Sequence, residues 1–124
     1  MESNYKPISE RSRTFFLDID GCVFRQHWPN IGASGHLLPY VHEKINSWYT
    51  NGDVIIFTTS RPESYRQTTE DQLRAAGILW HRLIMDLPTG QRVLINDKKP
   101  QDDFTPMAVA INLIRDAGMK DIDV

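Results

Sequence analysis

Cysteine is almost absent: Cys22 is the single one in 124 residues. That excludes an internal disulfide framework and any zinc site built on several cysteines. Cys22 has no histidine close to it in sequence, so a catalytic thiol there would lack its usual base. Basic charge is also short. Fourteen Lys and Arg against sixteen Asp and Glu leave a net charge of −2. No cationic excess points to nucleic acid or to an anionic membrane, although a local patch stays open. No apolar run approaches the ~20 residues of a membrane span. The opening Met1–Arg13 is polar and lacks an apolar signal core, so a cytoplasmic location is expected. Internal repeats and low-complexity segments are missing too.

What is present reads as one globular domain over residues 1–124, with 1–12 as a loosely ordered lead-in. Hydrophobic residues make up 40% and charged residues 24%, enough for one core but not two. Thr14 to Asp18 predicts a first strand. Cys22 to Gly35, with Trp28-Pro29-Asn30, Gly32 and Gly35, predicts a loop or small hairpin. Leu38, Val41, Ile45 and Trp48 fall on one face of a helix that starts near Leu38 and ends at Asn51-Gly52. Asp53 to Thr59 is a continuous apolar run of the buried-strand kind. Ser60-Arg61-Pro62-Glu63 predicts a helix start, with Ser60 as cap and Glu63 reaching back, and that helix runs to Ala76 with Gly77 just beyond. Short strands are expected at Arg82–Met85 and Arg92–Asn96. A last helix is expected from Thr105-Pro106 to Gly118, with an edge strand at Asp121–Val124. Strands alternating with helices imply an α/β fold: a Rossmann-like parallel sheet flanked by helices. Ligands bind such sheets at the carboxyl ends of the strands.

Those ends carry the chemistry. Phe15-Phe16-Leu17-Asp18-Ile19-Asp20-Gly21 ends an apolar strand in two carboxylates one residue apart. In extended chain, residues i and i+2 share a face. Asp18 and Asp20 therefore crowd like charge, which a cation or a held proton relieves. Gly21 allows a sharp turn and a close approach of backbone to ligand. The second apolar run ends in Thr58-Thr59-Ser60-Arg61. A hydroxyl beside a helix N-terminus can hold a phosphate, or Ser60 can simply cap the helix while Thr59 fills the strand end. The run Val93-Leu94-Ile95 ends in Asn96-Asp97-Lys98-Lys99-Pro100, and an acid there would complete a carboxylate cluster suited to Mg²⁺.

The order of these stretches resembles the haloacid dehalogenase (HAD) superfamily, over about Thr14 to Asp103. Its first signature is D-x-D-G-[TVC]-[VLF], matched by Asp18 to Val23. The resemblance implies a HAD-like core without a cap domain, since Cys22–Leu37 and Ser60–Arg82 are too short to hold one. It implies a Mg²⁺-dependent phosphatase. Asp18 would be the nucleophile that becomes an aspartyl-phosphate, and Asp20 the general acid/base. Thr59, with Ser60 where the family often has Gly, would hold phosphate. The metal would sit on Asp18, the Asp20 backbone carbonyl and Asp97, with Asp102 as an optional trailing acid. The family's third signature, a Lys or Arg that neutralises the phosphate, is missing from Asp86–Arg92 as a lysine. Lys98 stands as its substitute, with Arg92, Lys99 and Arg61 as fallbacks. An ionised carboxylate with a pKa of ~4 needs no base in order to attack phosphorus. Capless members act on bulky substrates or are closed over by a partner subunit. A nucleotide or nucleic-acid phosphate end fits such an open site, a small phosphorylated substrate such as a sugar phosphate stands beside it, and a homo-oligomer stays open. Phe24, Arg25, His27 and Trp28 would form a small flap or pack as core. Two rivals stand beside this reading. One is a HAD-like module that binds a phosphorylated ligand without turnover. The other is a phospho-receiver domain, whose acceptor Asp would have to precede the Thr strand, whereas Thr59 precedes Asp86.

Overall fold

The computed structural model describes residues 6–26, 35–98 and 105–124. Among these residues three short strands form one sheet in the order β1-β2-β3: β1 Thr14–Leu17, β2 Val54–Thr58 and β3 Arg82–Ile84. Both pairings are parallel, so each needs a crossover, and helices α1 Val41–Thr50 and α2 Arg66–Ala75 lie in those crossovers. The register aligns Phe15 with Ile55, and Leu17 with Phe57 and Leu83. The strand period of two therefore puts these five side chains on one face. Ile55 and Phe57 are fully buried there, and Phe15 stacks on Trp48 of α1 with ring centroids 4.1 Å apart. The opposite face is more open: Phe16 is 55% exposed, and Ile84 is exposed as well.

The helical spacing of Leu38, Val41, Ile45 and Trp48 does what its period predicts, and all four are buried. Helix α1 begins later than Leu38 because Tyr40 takes a left-handed conformation (φ 63°) just before it. Gly52 (φ 99°) closes it, with its N–H donated to the Tyr49 carbonyl. Helix α2 buries Thr69 and Leu73 and ends at Gly77, where Ile78 N–H returns to the Leu73 carbonyl. No helix of the described residues is long and apolar enough to cross a membrane.

Four expectations fail along the chain. The helix after β2 does not start at Ser60. Pro62 is extended, a 3-10 turn occupies Glu63–Tyr65, and α2 starts only at Arg66, without a side-chain cap. Residues 91–98 form no strand, and Val93, Leu94 and Ile95 are exposed, Ile95 at 89%. A β-branched apolar run has only a tendency to be a strand, and a strand needs a partner edge in register. The Arg92 guanidinium instead bonds to the Pro88 and Gly90 carbonyls, which ties the chain back to its own loop. Residues 105–118 form no helix, and 121–124 no strand. Val109, Ile111 and Ile114 face solvent there, so the apolar side of the expected helix gains no burial. A segment of that length holds helix poorly without such burial.

Candidate active site

β1 ends at Leu17, and the next three residues turn the chain tightly. The buried Ile19 carbonyl accepts N–H groups from Cys22, Val23 and Phe24 at 3.2, 2.8 and 3.1 Å. Gly21 (φ 85°) donates its N–H to the Phe24 carbonyl at 2.7 Å, and its own carbonyl accepts from Asp116 N–H at 2.9 Å. Phe24 is fully buried and belongs to the core rather than to a flap. Antiparallel contact of Phe24 with Leu37 makes the stem of the expected hairpin. Its residues His27 and Trp28 lie outside the described residues.

This turn sends the two acids to different environments. Asp18 keeps access to solvent. Its carboxyl is nevertheless raised above the ordinary value of 3.8, chiefly by the protein packed around it. The Ile19 backbone N–H opposes that rise, the nearby Asp20 charge adds to it, and Arg92 and Arg61 oppose it in turn. Asp20 is instead gripped by Arg61. Nε donates to Oδ2 at 2.9 Å and Nη2 to Oδ1 at 2.7 Å, a two-pronged pairing. Arg61 is only 1% exposed, and its Nη1 donates to Thr69 Oγ1 at 2.9 Å and to Gln72 Oε1 at 2.7 Å. One guanidinium thus joins the end of β1, the end of β2 and the inner face of α2.

The hydroxyls after β2 build the turn. Thr59 is 1% exposed, and its Oγ1 accepts the Arg61 N–H at 3.1 Å. Its N–H and carbonyl extend the pairing with the chain after β3, through the Ile84 carbonyl and Leu87 N–H. Ser60 Oγ donates to the Pro88 carbonyl at 3.3 Å, so it caps a loop and not a helix. The phosphate cradle expected from Thr59 and Ser60 at a helix N-terminus therefore lacks its helix, since α2 begins at Arg66.

Asp97 and Lys98 are exposed in the strandless segment 91–98. Among the described residues, no three Asp, Glu, His or Cys side chains converge closely enough to hold a metal ion. The Asp18, Asp20 and Asp97 side chains are thus not gathered into one cluster. The described residues bring together no three-acid set for Mg²⁺. Lys99, Asp102 and Asp103 lie outside the described residues. Cys22 sits against Asp18. Burial, and then the Asp18 charge, push its thiol up to about 12, so it stays protonated and is no nucleophile at neutral pH.

Sequence reasoning placed Arg61 beside the phosphate-binding stretch but missed its grip on Asp20. The capping pattern of Ser60 to Glu63 pointed to a helix, whereas the chain loops to bring Arg61 inward. It also missed Arg115 and Asp116, which cover the Gly21 turn from nearly a hundred residues downstream, because no local pattern reports such a contact.

Fold and site together define an α/β protein with a parallel three-stranded sheet and an acid pair at the carboxyl end of an edge strand. Neither protein-family models nor curated proteins nor solved structures give a match to the chain.

Proposed function

We propose that the chain is a HAD-like phosphomonoester hydrolase that works through an aspartyl-phosphate on Asp18. The observation that supports this most is the place of Asp18: it stays open to solvent just past the carboxyl end of β1, one residue from a second acid. In the proposed reaction an Asp18 carboxylate oxygen attacks phosphorus and the bond to the leaving oxygen breaks. Asp20 supplies the proton to that oxygen, then takes one from the water that hydrolyses the acyl-phosphate. To carry the proton, one Asp20 oxygen must release its Arg61 N–H. Arg92, whose charge already bears on Asp18, is a better candidate than Lys98 for neutralising the incoming phosphate. The substrate class is a sugar phosphate or a nucleotide or polynucleotide phosphate, handled in the cytoplasm.

Magnesium belongs to this proposal on the order of the acids in the sequence, not on the geometry. When bound, it would screen the phosphate from the carboxylates. The incomplete acid set favours a second reading, a module that binds a phosphorylated ligand without turnover.

The test is phosphate release from sugar phosphates, nucleotides and 3′-phosphorylated oligonucleotides, in Mg²⁺ and in EDTA, for the wild type and Asp18→Asn. The expected result is turnover that needs the metal and falls by about a thousandfold or more in the variant. Ligand binding without any turnover would replace the hydrolase with the binding module.

A further inference from the structure

Arg115 lies across the turn that follows the acid pair. Its Cγ is 3.2 Å, and its Nε 3.8 Å, from the point where a side chain on Gly21 would begin. The backbone beside it is fixed to the same turn: Asp116 N–H donates to the Gly21 carbonyl at 2.9 Å, and Asp116 Oδ1 accepts the Gln26 N–H at 2.9 Å. Asp116 holds a left-handed conformation (φ 63°) to make both bonds. Arg115 is exposed and, among the described residues, forms no ion pair. Its setting differs from those of the other two arginines near the acids. Arg61 is consumed by Asp20. Arg92 is anchored through Nη1 to the loop carbonyls of Pro88 and Gly90 and, in the hydrolase reading, serves the phosphate taken at Asp18. A cation held by its backbone against the acid-bearing turn, and paired with no acid among the described residues, is poised for an anion that arrives from outside.

We propose that Arg115 binds a second anionic group of the substrate, so that the preferred substrate is a phosphomonoester that also carries another phosphate. This rests on the hydrolase reading, in which one phosphate is taken at Asp18. Arg115 then sets specificity by gripping the other. Gly21 leaves room for this arrangement, since a side chain there would crowd the Arg115 stem at 3.2 Å.

Matched pairs of esters test it: fructose 1,6-bisphosphate against fructose 6-phosphate, and adenosine 3′,5′-bisphosphate against adenosine 3′-monophosphate. Each pair shares a body and differs by one phosphate, and the two pairs separate a sugar source from a nucleotide source. The wild type is expected to favour the bisphosphate of at least one pair by about tenfold in kcat/KM. Arg115→Ala is expected to erase that preference, and Arg115→Lys to restore part of it. Equal losses on both members of each pair would make Arg115 a structural residue and overturn the proposal. A wild type without preference would overturn it whatever the variants do. If no ester is turned over, the hydrolase reading fails on its own, and calorimetric binding of the same four ligands decides for Arg115. Tighter binding of a bisphosphate that depends on Arg115 sustains the inference, and equal binding ends it.

Discussion

Asp18 carries a consequence for stability as well as for chemistry. Its carboxyl is raised in the folded chain above 3.8, first by burial and then by Asp20. Between 3.8 and that raised value the folded state keeps a proton that the unfolded state has lost. Stability therefore falls as pH rises through this window, and the full penalty is present at neutral pH. Asp18→Asn removes the charge and should raise the melting temperature at pH 7. The gain should vanish below pH 3.8, where both states are protonated. Asp18 still touches water, so the gain should stay below about 1 kcal/mol. A variant less stable than wild type at pH 7 would mean that the carboxylate makes an attractive contact that outweighs its burial. Arg61 is the opposite case. Arg61→Ala strands Asp20, Thr69 and Gln72 around an empty space and should cost about 3–5 kcal/mol in urea unfolding. Adding Asp20→Asn should return at least about 1 kcal/mol, because the stranded charge goes with it. Strict additivity of the two changes would show that the pair does not act as a unit.

At the level of elements, the parts that were legible are those whose signal is local. β1, β2 and α1 follow from apolar pattern, with Gly52 as the stop of α1; for α2 only the stop at Gly77 was a sound signal, since its expected cap at Ser60 is not used. The acid pair was legible because Asp18 and Asp20 are two residues apart on one strand end. Asp97 was legible as a residue type but not as a neighbour of Asp18, since proximity depends on where segment 91–98 pairs. Val93-Leu94-Ile95 and Met107 to Ala117 have the pattern of a strand and a helix without the burial that would fix them. Their amides make the point measurable. Residues 92–98 take part in no backbone ladder, whereas Ile56 and Phe57 sit between two parallel neighbours. Hydrogen exchange at neutral pH should therefore leave 92–98 close to unprotected, and β2 among the slowest amides of the chain. Protection of 93–96 equal to that of β2 would place a fourth strand beside β1.

Across the whole molecule, the end of the chain closes over its beginning. Met119 is 1% exposed in the core, and its N–H donates to the Pro39 carbonyl at 3.0 Å. Gly118 before it has no room for a side chain: a Cβ there would lie 2.4 Å from that same carbonyl. Lys44 Nζ donates to the Ile122 carbonyl at 2.7 Å, and Asp116 holds the Gly21 turn. Chain end, α1 and the acid-bearing turn thus share one set of contacts, and loss of one should be felt by all. Met119→Ala leaves a cavity among buried side chains and should cost about 2–5 kcal/mol. Lys44→Met removes one hydrogen bond from a partly exposed ammonium and should cost about 1 kcal/mol or less. Both should shift the urea midpoint without changing the slope, because one cooperative unit unfolds in each case. A Met119→Ala shift no larger than that of Lys44→Met would mean that the terminal segment rests on the core without belonging to it. The Gly21 turn, and with it the position of Asp20, would then be held by its own bonds to Ile19 and Phe24 and by Arg61.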